Sequence, residues 1–199
     1  SAKGSGEAKK MAKSGEDFIT LQTLKEKGIH PLAYRYYLLQ AHYRSPINFS
    51  FEAVQSAQNA YFNMLKSFSS QHSQKVAVRI TPDIAEWFSN FTCDDLDTPS
   101  AISLLRKVID DRELDQHEKL KTVGVFDSVL GLDIENQSKK LAEEMAAVPK
   151  EITEKAARRS AARQAKNFAE ADALRAEIEQ AGFEIMDTDA GPLVRRKLN

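Results

Sequence analysis

Lys10 and Lys13 stand three residues apart in a segment bounded by Gly6 and Gly15, with Met11 its one large apolar residue. Two lysines on a pliable loop can close over a triphosphate and neutralise the charge that builds on a leaving pyrophosphate. On the residues alone, a solvated lysine-rich tail explains them as well. Asp94, Asp95 and Asp97 are the next candidates, but an EF-hand needs a longer spacing with a central glycine and a terminal glutamate, so helix capping is the expected role. Cys93 beside them is expected to be a small core residue. One cysteine allows no internal disulfide, and the four scattered histidines (His30, His42, His72, His117) offer no zinc-ligand spacing. Neither a Ser/His/Asp order, a Walker loop nor a dinucleotide fingerprint is present.

The elements that would carry these residues are helical for most of the chain. Thr20 can cap a short helix with Leu21 and Leu24 on one side and Gly28 at its end. Pro31 suits a first helical turn, and Leu32, Tyr36, Leu39 and Tyr43 predict a helix that runs to Pro46. Ser50 can cap a longer one striped by Ala53, Ala57, Tyr61, Met64 and Phe68. Thr81-Pro82 and Thr98-Pro99 each read as a threonine cap with proline in the first turn. Leu114 to Leu130 and Asn136 to Val148 complete an antiparallel helical bundle. Beyond Pro149, Ile152 to Ala165 reads as a basic helix. Asn167 and Glu170 can cap a second helix reciprocally, with Leu174 and Ile178 inward and Gly182 at its end. Phe183 to Met186 and Leu193-Val194 then alternate as strands about a turn. The expected class is mainly α: a bundle followed by a small α+β unit of two helices and a β-hairpin.

A net charge of −1 argues against a generic nucleic-acid binder, but the charge is uneven. Lys and Arg outnumber Asp and Glu by 8 to 4 over residues 1–48, fall behind by 10 to 16 over 49–149, and stand at 10 to 9 over 150–199. A polyanion should therefore touch the two ends of the chain more than its middle. No run approaches the ~18 apolar residues of a membrane span, and the lysine-rich start is not followed by an apolar stretch of the secretory type. A cytoplasmic protein without membrane contact is expected.

Lys10-Met11-Ala12-Lys13-Ser14 resembles the KMSKS signature of class I aminoacyl-tRNA synthetases, with alanine for the first serine. Phe18-Ile19-Thr20-Leu21, His30 to Leu39 and His42-Tyr43-Arg44-Ser45-Pro46-Ile47-Asn48 resemble the segment that follows that loop in cysteinyl-tRNA synthetases. Asp94 to Ala101 is similar to the family's acidic "DD-x-N-T-P-x-A" stretch, and Phe126 to Leu132 to its "LGL" helix end. Ala162 to Arg175, with Gly182 and Asp187-Thr188, is similar to its C-terminal block. These blocks stand in family order over residues 10–197.

The resemblance implies the rear part of a cysteine–tRNA ligase, which activates L-cysteine with ATP and Mg and transfers it to tRNA(Cys). It implies a signature loop at 1–17, stem-contact helices at 18–48, a tRNA-binding bundle at 49–149 and an anticodon-recognition domain at 150–199. Lys10 and Lys13 become catalytic residues, and Lys10 to Ser14 the ATP contacts. Arg158, Arg159, Arg163, Lys166, Arg175, Arg195 and Arg196 become tRNA contacts, with Asp187 placed to accept from a guanine edge. Zinc is expected in the family's N-terminal half, not here. The resemblance thus reads the chain as a fragment or half of a split enzyme, monomeric and inactive alone. Ala12 removes a hydroxyl from the loop. Val194 replaces an aromatic common before the basic pair, forgoing a stacking contact of ~1–3 kcal/mol. Two other readings stay open: a non-catalytic tRNA-binding module, and a ligase of the mycothiol type.

Overall fold

A computed structural model describes residues 19–70, 82–111, 113–114, 116–188 and 191–197. The signature loop and the Thr81 cap lie outside them. Helix α1 (Leu21–Glu26) begins at Thr20, whose hydroxyl accepts from the Thr23 N–H, and Gly28 follows its end at φ +74. Leu24 is buried as expected, but Leu21 is exposed. Helix α2 (Pro31–Leu39) starts with Pro31, preceded by His30, whose Nδ1 accepts from the Leu32 N–H at 3.2 Å. Burial, and then the nearby Arg195 and Lys140, lower the His30 pKa to about 4. The ring is therefore neutral at pH 7 and free to act as a cap acceptor.

Helix α2 ends at Leu39, well short of Pro46. The competing interactions lie beyond it. His42 Nε2 lies 3.1 Å from the Asp95 carbonyl and the Tyr43 hydroxyl donates to Asp95 Oδ1 at 2.7 Å, so these side chains tie down an irregular connector and Tyr43 is exposed. Helix α3 (Phe51–Ser70) follows the Ser50 cap and buries Ala57, Tyr61, Met64 and Phe68 as the stripe predicts.

Helices α4 (Pro82–Cys93) and α5 (Thr98–Asp110) flank the acidic connector. The cap of α5 is Asp97, not Thr98: its carboxylate accepts from the Ser100 N–H at 3.2 Å, the stronger acceptor taking the orphan amide. Those Ser100 bonds hold the Asp97 carboxyl below its ordinary range. Cys93 is exposed at the end of α4 rather than in the core. Helices α6 (Gln116–Leu130) and α7 (Ile134–Ala146) meet at a tight corner, where Asp127 accepts from the Leu132 and Ile134 amides at 2.6 and 2.8 Å. Arg35 Nε donates to the Leu130 carbonyl from below at 2.7 Å. At Gly131 the φ of +63 favours glycine, and a Cβ there would lie 2.9 Å from that guanidinium, so any side chain would also have to displace Arg35.

Helices α8 (Lys150–Gln164) and α9 (Phe168–Gln180) form a hairpin whose turn is held by the reciprocal Asn167 and Glu170 bonds. Strands β1 (Phe183–Met186) and β2 (Leu193–Arg196) pair antiparallel, with Phe183 opposite Arg196 and Met186 opposite Leu193. Strand alternation divides this ribbon between two cores. Phe183, Ile185 and Val194 join Val148, Ile152, Ala156 and Ile178, while Met186 and Leu193 join the main bundle core. The hairpin is thus clamped on both faces.

Candidate nucleic-acid interface

Asp187 immediately follows β1, and α8 supplies the side chains it bonds. Arg159 Nη1 donates to Asp187 Oδ1 at 2.7 Å and Arg159 Nη2 to Oδ2 at 3.2 Å, while Arg163 Nη1, one helical turn on, donates to Oδ2 at 2.5 Å. Arg159 is 3% exposed, whereas the Asp187 and Arg163 side chains are half exposed. The buried guanidinium is a fixed fork and the outer one is exchangeable. Hydrogen bonding from Arg159 outweighs desolvation and holds the Asp187 carboxyl below the usual range, so it is ionised at neutral pH. The three groups together carry one net positive charge.

The other cations named from the sequence do not all join this cluster. Arg158 is exposed and lies 3.7 Å from Glu170 on α9. Arg175 bonds Glu179 at 2.8 Å, the four-residue pairing expected of a solvated face, yet lies near enough to help lower Asp187. Lys166 is exposed in the α8–α9 turn at φ +60. Arg196 is exposed at the end of β2, 6.0 Å from the Phe183 ring.

Two of the expected phosphate contacts face inward. Arg159 is consumed by Asp187. Arg195 is buried on the bundle side of β2, its guanidinium 3.8 Å from the Phe62 ring centroid and its Nε paired with Glu184. The physical reason is the period of two: Arg195 and Arg196 adjoin in sequence but point to opposite faces, and only Arg196 meets solvent.

One exposed group escaped the sequence reading. Phe168, the first residue of α9, is 60% exposed. Steps of four, three and three back from Ile178 through Leu174 and Ala171 would turn it inward, but at the helix start it stands exposed. An exposed ring next to Lys166 and Asn167 is a surface on which an unstacked base can lie.

No metal-holding group of three or more His, Cys, Asp or Glu occurs among the described residues. None of the described helices is long and apolar enough to cross a membrane.

Sequence comparison identifies what carries this arrangement. The chain is 36% identical over 192 residues to the cysteine–tRNA ligase of Novosphingobium aromaticivorans, a match covering 90% of the chain and 38% of that protein. Over these residues the chain is similar to cysteine–tRNA ligases. Cysteine–tRNA ligase 1 of Burkholderia lata is 34% identical over 182 residues, 92% of the chain and 37% of that ligase. The ligase of Caldicellulosiruptor saccharolyticus is 34% identical over 209 residues, 94% of the chain and 43% of that ligase. The chain therefore spans about two fifths of the length of the ligases it matches. No family model matches it.

Proposed function

We propose that this chain is the tRNA-binding part of a cysteine–tRNA ligase, with residues 150–199 reading the anticodon and the helices before them gripping the tRNA body. The observation that carries the reading is the Asp187 carboxylate, ionised and oriented by a buried arginine just after the first strand of a small hairpin, beside the half-exposed Arg163, with Lys166 exposed in the α8–α9 turn and Phe168 exposed at the start of α9. Single-stranded bases are recognised in this way, by polar edges next to a stacking ring with cations for the backbone. Arg158, Arg175 and Arg196 are the further phosphate contacts in this reading; Arg159 acts through Asp187, and Arg195 is withdrawn. A carboxylate has about four acceptor positions, and Arg159 and Arg163 occupy three, so accepting two bonds from a guanine edge requires Arg163 to turn toward the nucleic acid. The whole ligase would act in the cytoplasm as a monomer on L-cysteine, ATP with Mg and tRNA(Cys). Lys10 and Lys13, within the Lys10 to Ser14 loop, would hold the triphosphate, and any zinc would lie outside this chain.

Asp187→Ala separates the reading from a simple turn role. The affinity for cysteine tRNA should fall by about 5- to 150-fold, as for a lost base contact of ~1–3 kcal/mol. The affinity for a tRNA with a substituted first anticodon base should hold or rise, since two guanidiniums lose their carboxylate. Equal losses for both tRNAs, measured by titration of fluorescently labelled tRNA, would reduce Asp187 to a turn residue.

A further inference from the structure

We propose that Lys66, on the long bundle helix α3, is a positioning residue for anticodon reading: its ammonium grips the hairpin turn from outside the α8–α9 unit and so sets where Asp187 sits. The proposal rests on the tRNA-reading function above. Lys66 Nζ donates to the carbonyls of Gly191 at 3.0 Å and Pro192 at 3.3 Å, and lies 3.4 Å from Thr188 Oγ1. The Thr188 hydroxyl in turn donates to the Gly191 carbonyl at 2.5 Å, and Thr188 is the residue after Asp187. An ammonium has three donors, and turn carbonyls beyond the strand ladder need them. Burial holds the Lys66 ammonium below the ordinary lysine range, in keeping with a group enclosed by the turn.

Phe62, one turn earlier on the same face of α3, receives the Arg195 guanidinium of β2. The helix therefore meets the ribbon at two points, a packed one at Phe62 and a hydrogen-bonded one at Lys66. The strands have anchors of their own, through their pairing and through Met186 and Leu193 in the bundle core. Among the described turn residues, Thr188, Gly191 and Pro192 are tied to α3 through Lys66. Losing those donors should loosen the segment that carries Asp187 more than it loosens the fold. Nothing in the local sequence around Lys66 points to this role, which spans more than 120 residues of chain.

The test compares dissociation constants of labelled cysteine tRNA and of the same tRNA with a substituted first anticodon base, for the 199-residue chain and its variants. In Lys66→Met the preference for the cysteine anticodon should fall at least about five-fold, the lower bound for losing one base contact, with the helical circular dichroism retained. Val54→Ala, a core truncation on the same helix remote from the ribbon, should lower the melting temperature and leave the preference intact. If Lys66→Met does not fold, Lys66→Gln, which keeps an amide donor, should show a smaller loss in the same direction. An unchanged preference in the folded lysine variant, or an equal fall in Val54→Ala, overturns the proposal while leaving the tRNA reading standing. A wild-type chain without preference sinks both.

Discussion

Replacing Arg195 with alanine is expected to destabilise the chain by about 3 kcal/mol or more, the cost of breaking a buried ion pair by removing one partner. The side chain is 2% exposed, lies on the Phe62 ring and faces Glu184, which is itself three-quarters covered. Burial already raises the Glu184 pKa, and Arg195 opposes that rise. Without the guanidinium the carboxyl climbs further. A carboxyl whose folded pKa exceeds its unfolded value stabilises the fold below the unfolded pKa and loses that contribution as pH rises through the folded one. The Arg195→Ala defect should therefore be largest at neutral pH and shrink toward pH 4. In a chain of this size the neutral-pH loss corresponds to roughly 6–12 °C in melting temperature. Adding Glu184→Gln should recover part of it. A melting temperature within 2 °C of wild type at pH 7 would show that the pair is solvated after all.

In an intact ligase carrying this sequence, Lys13→Ala is expected to slow cysteine-dependent exchange of pyrophosphate into ATP by ~10²-fold or more, the usual consequence of losing a preorganised charge at a transition state. Lys10→Ala should cost less, because Lys13 corresponds to the second lysine of the signature. Preference for the cysteine anticodon should be unchanged in both, since anticodon reading is assigned to residues 150–199. An exchange rate within a factor of two of wild type for Lys13→Ala contradicts the signature-loop assignment.

The legible parts of this protein are those where short-range chemistry decides. The Ser50 and Thr20 caps, the Asn167 and Glu170 box and the glycine after α9 could be read directly because each satisfies amides or carbonyls within a few residues. The α3 stripe was legible from its period. Errors arose where a distant partner intervened. Helix α2 stops early because His42 and Tyr43 engage Asp95, fifty residues away. Cys93 is exposed because α4 ends there, and small apolar character alone could not signal it.

The candidate site divides in the same way. Family blocks named Asp187 and the arginines of α8, and geometry brought Arg159, Arg163 and Asp187 together. Charge type could not say that Arg159 and Arg195 turn inward while Arg163 and Arg196 do not; strand phase separates Arg195 from Arg196, and Arg163, on the same face of α8 as Arg159, stands exposed in the last turn of the helix. Phe168 was hidden by a periodicity that predicts burial, and Lys66 by sheer sequence distance.

Whether this chain reads a cysteine anticodon is decided by fluorescence anisotropy of labelled cysteine tRNA titrated with the chain at two salt concentrations. The comparison is a tRNA differing only in the first anticodon base. A net charge of −1 leaves only local clusters to meet phosphates, so binding should be weak, on the order of micromolar or poorer, and should fall gently as salt rises. Within that weak binding the expected result is a clear preference for cysteine tRNA at low salt, lost when residues 150–199 are removed and kept when residues 1–17 are removed. Equal affinity for the two tRNAs at low salt would contradict it.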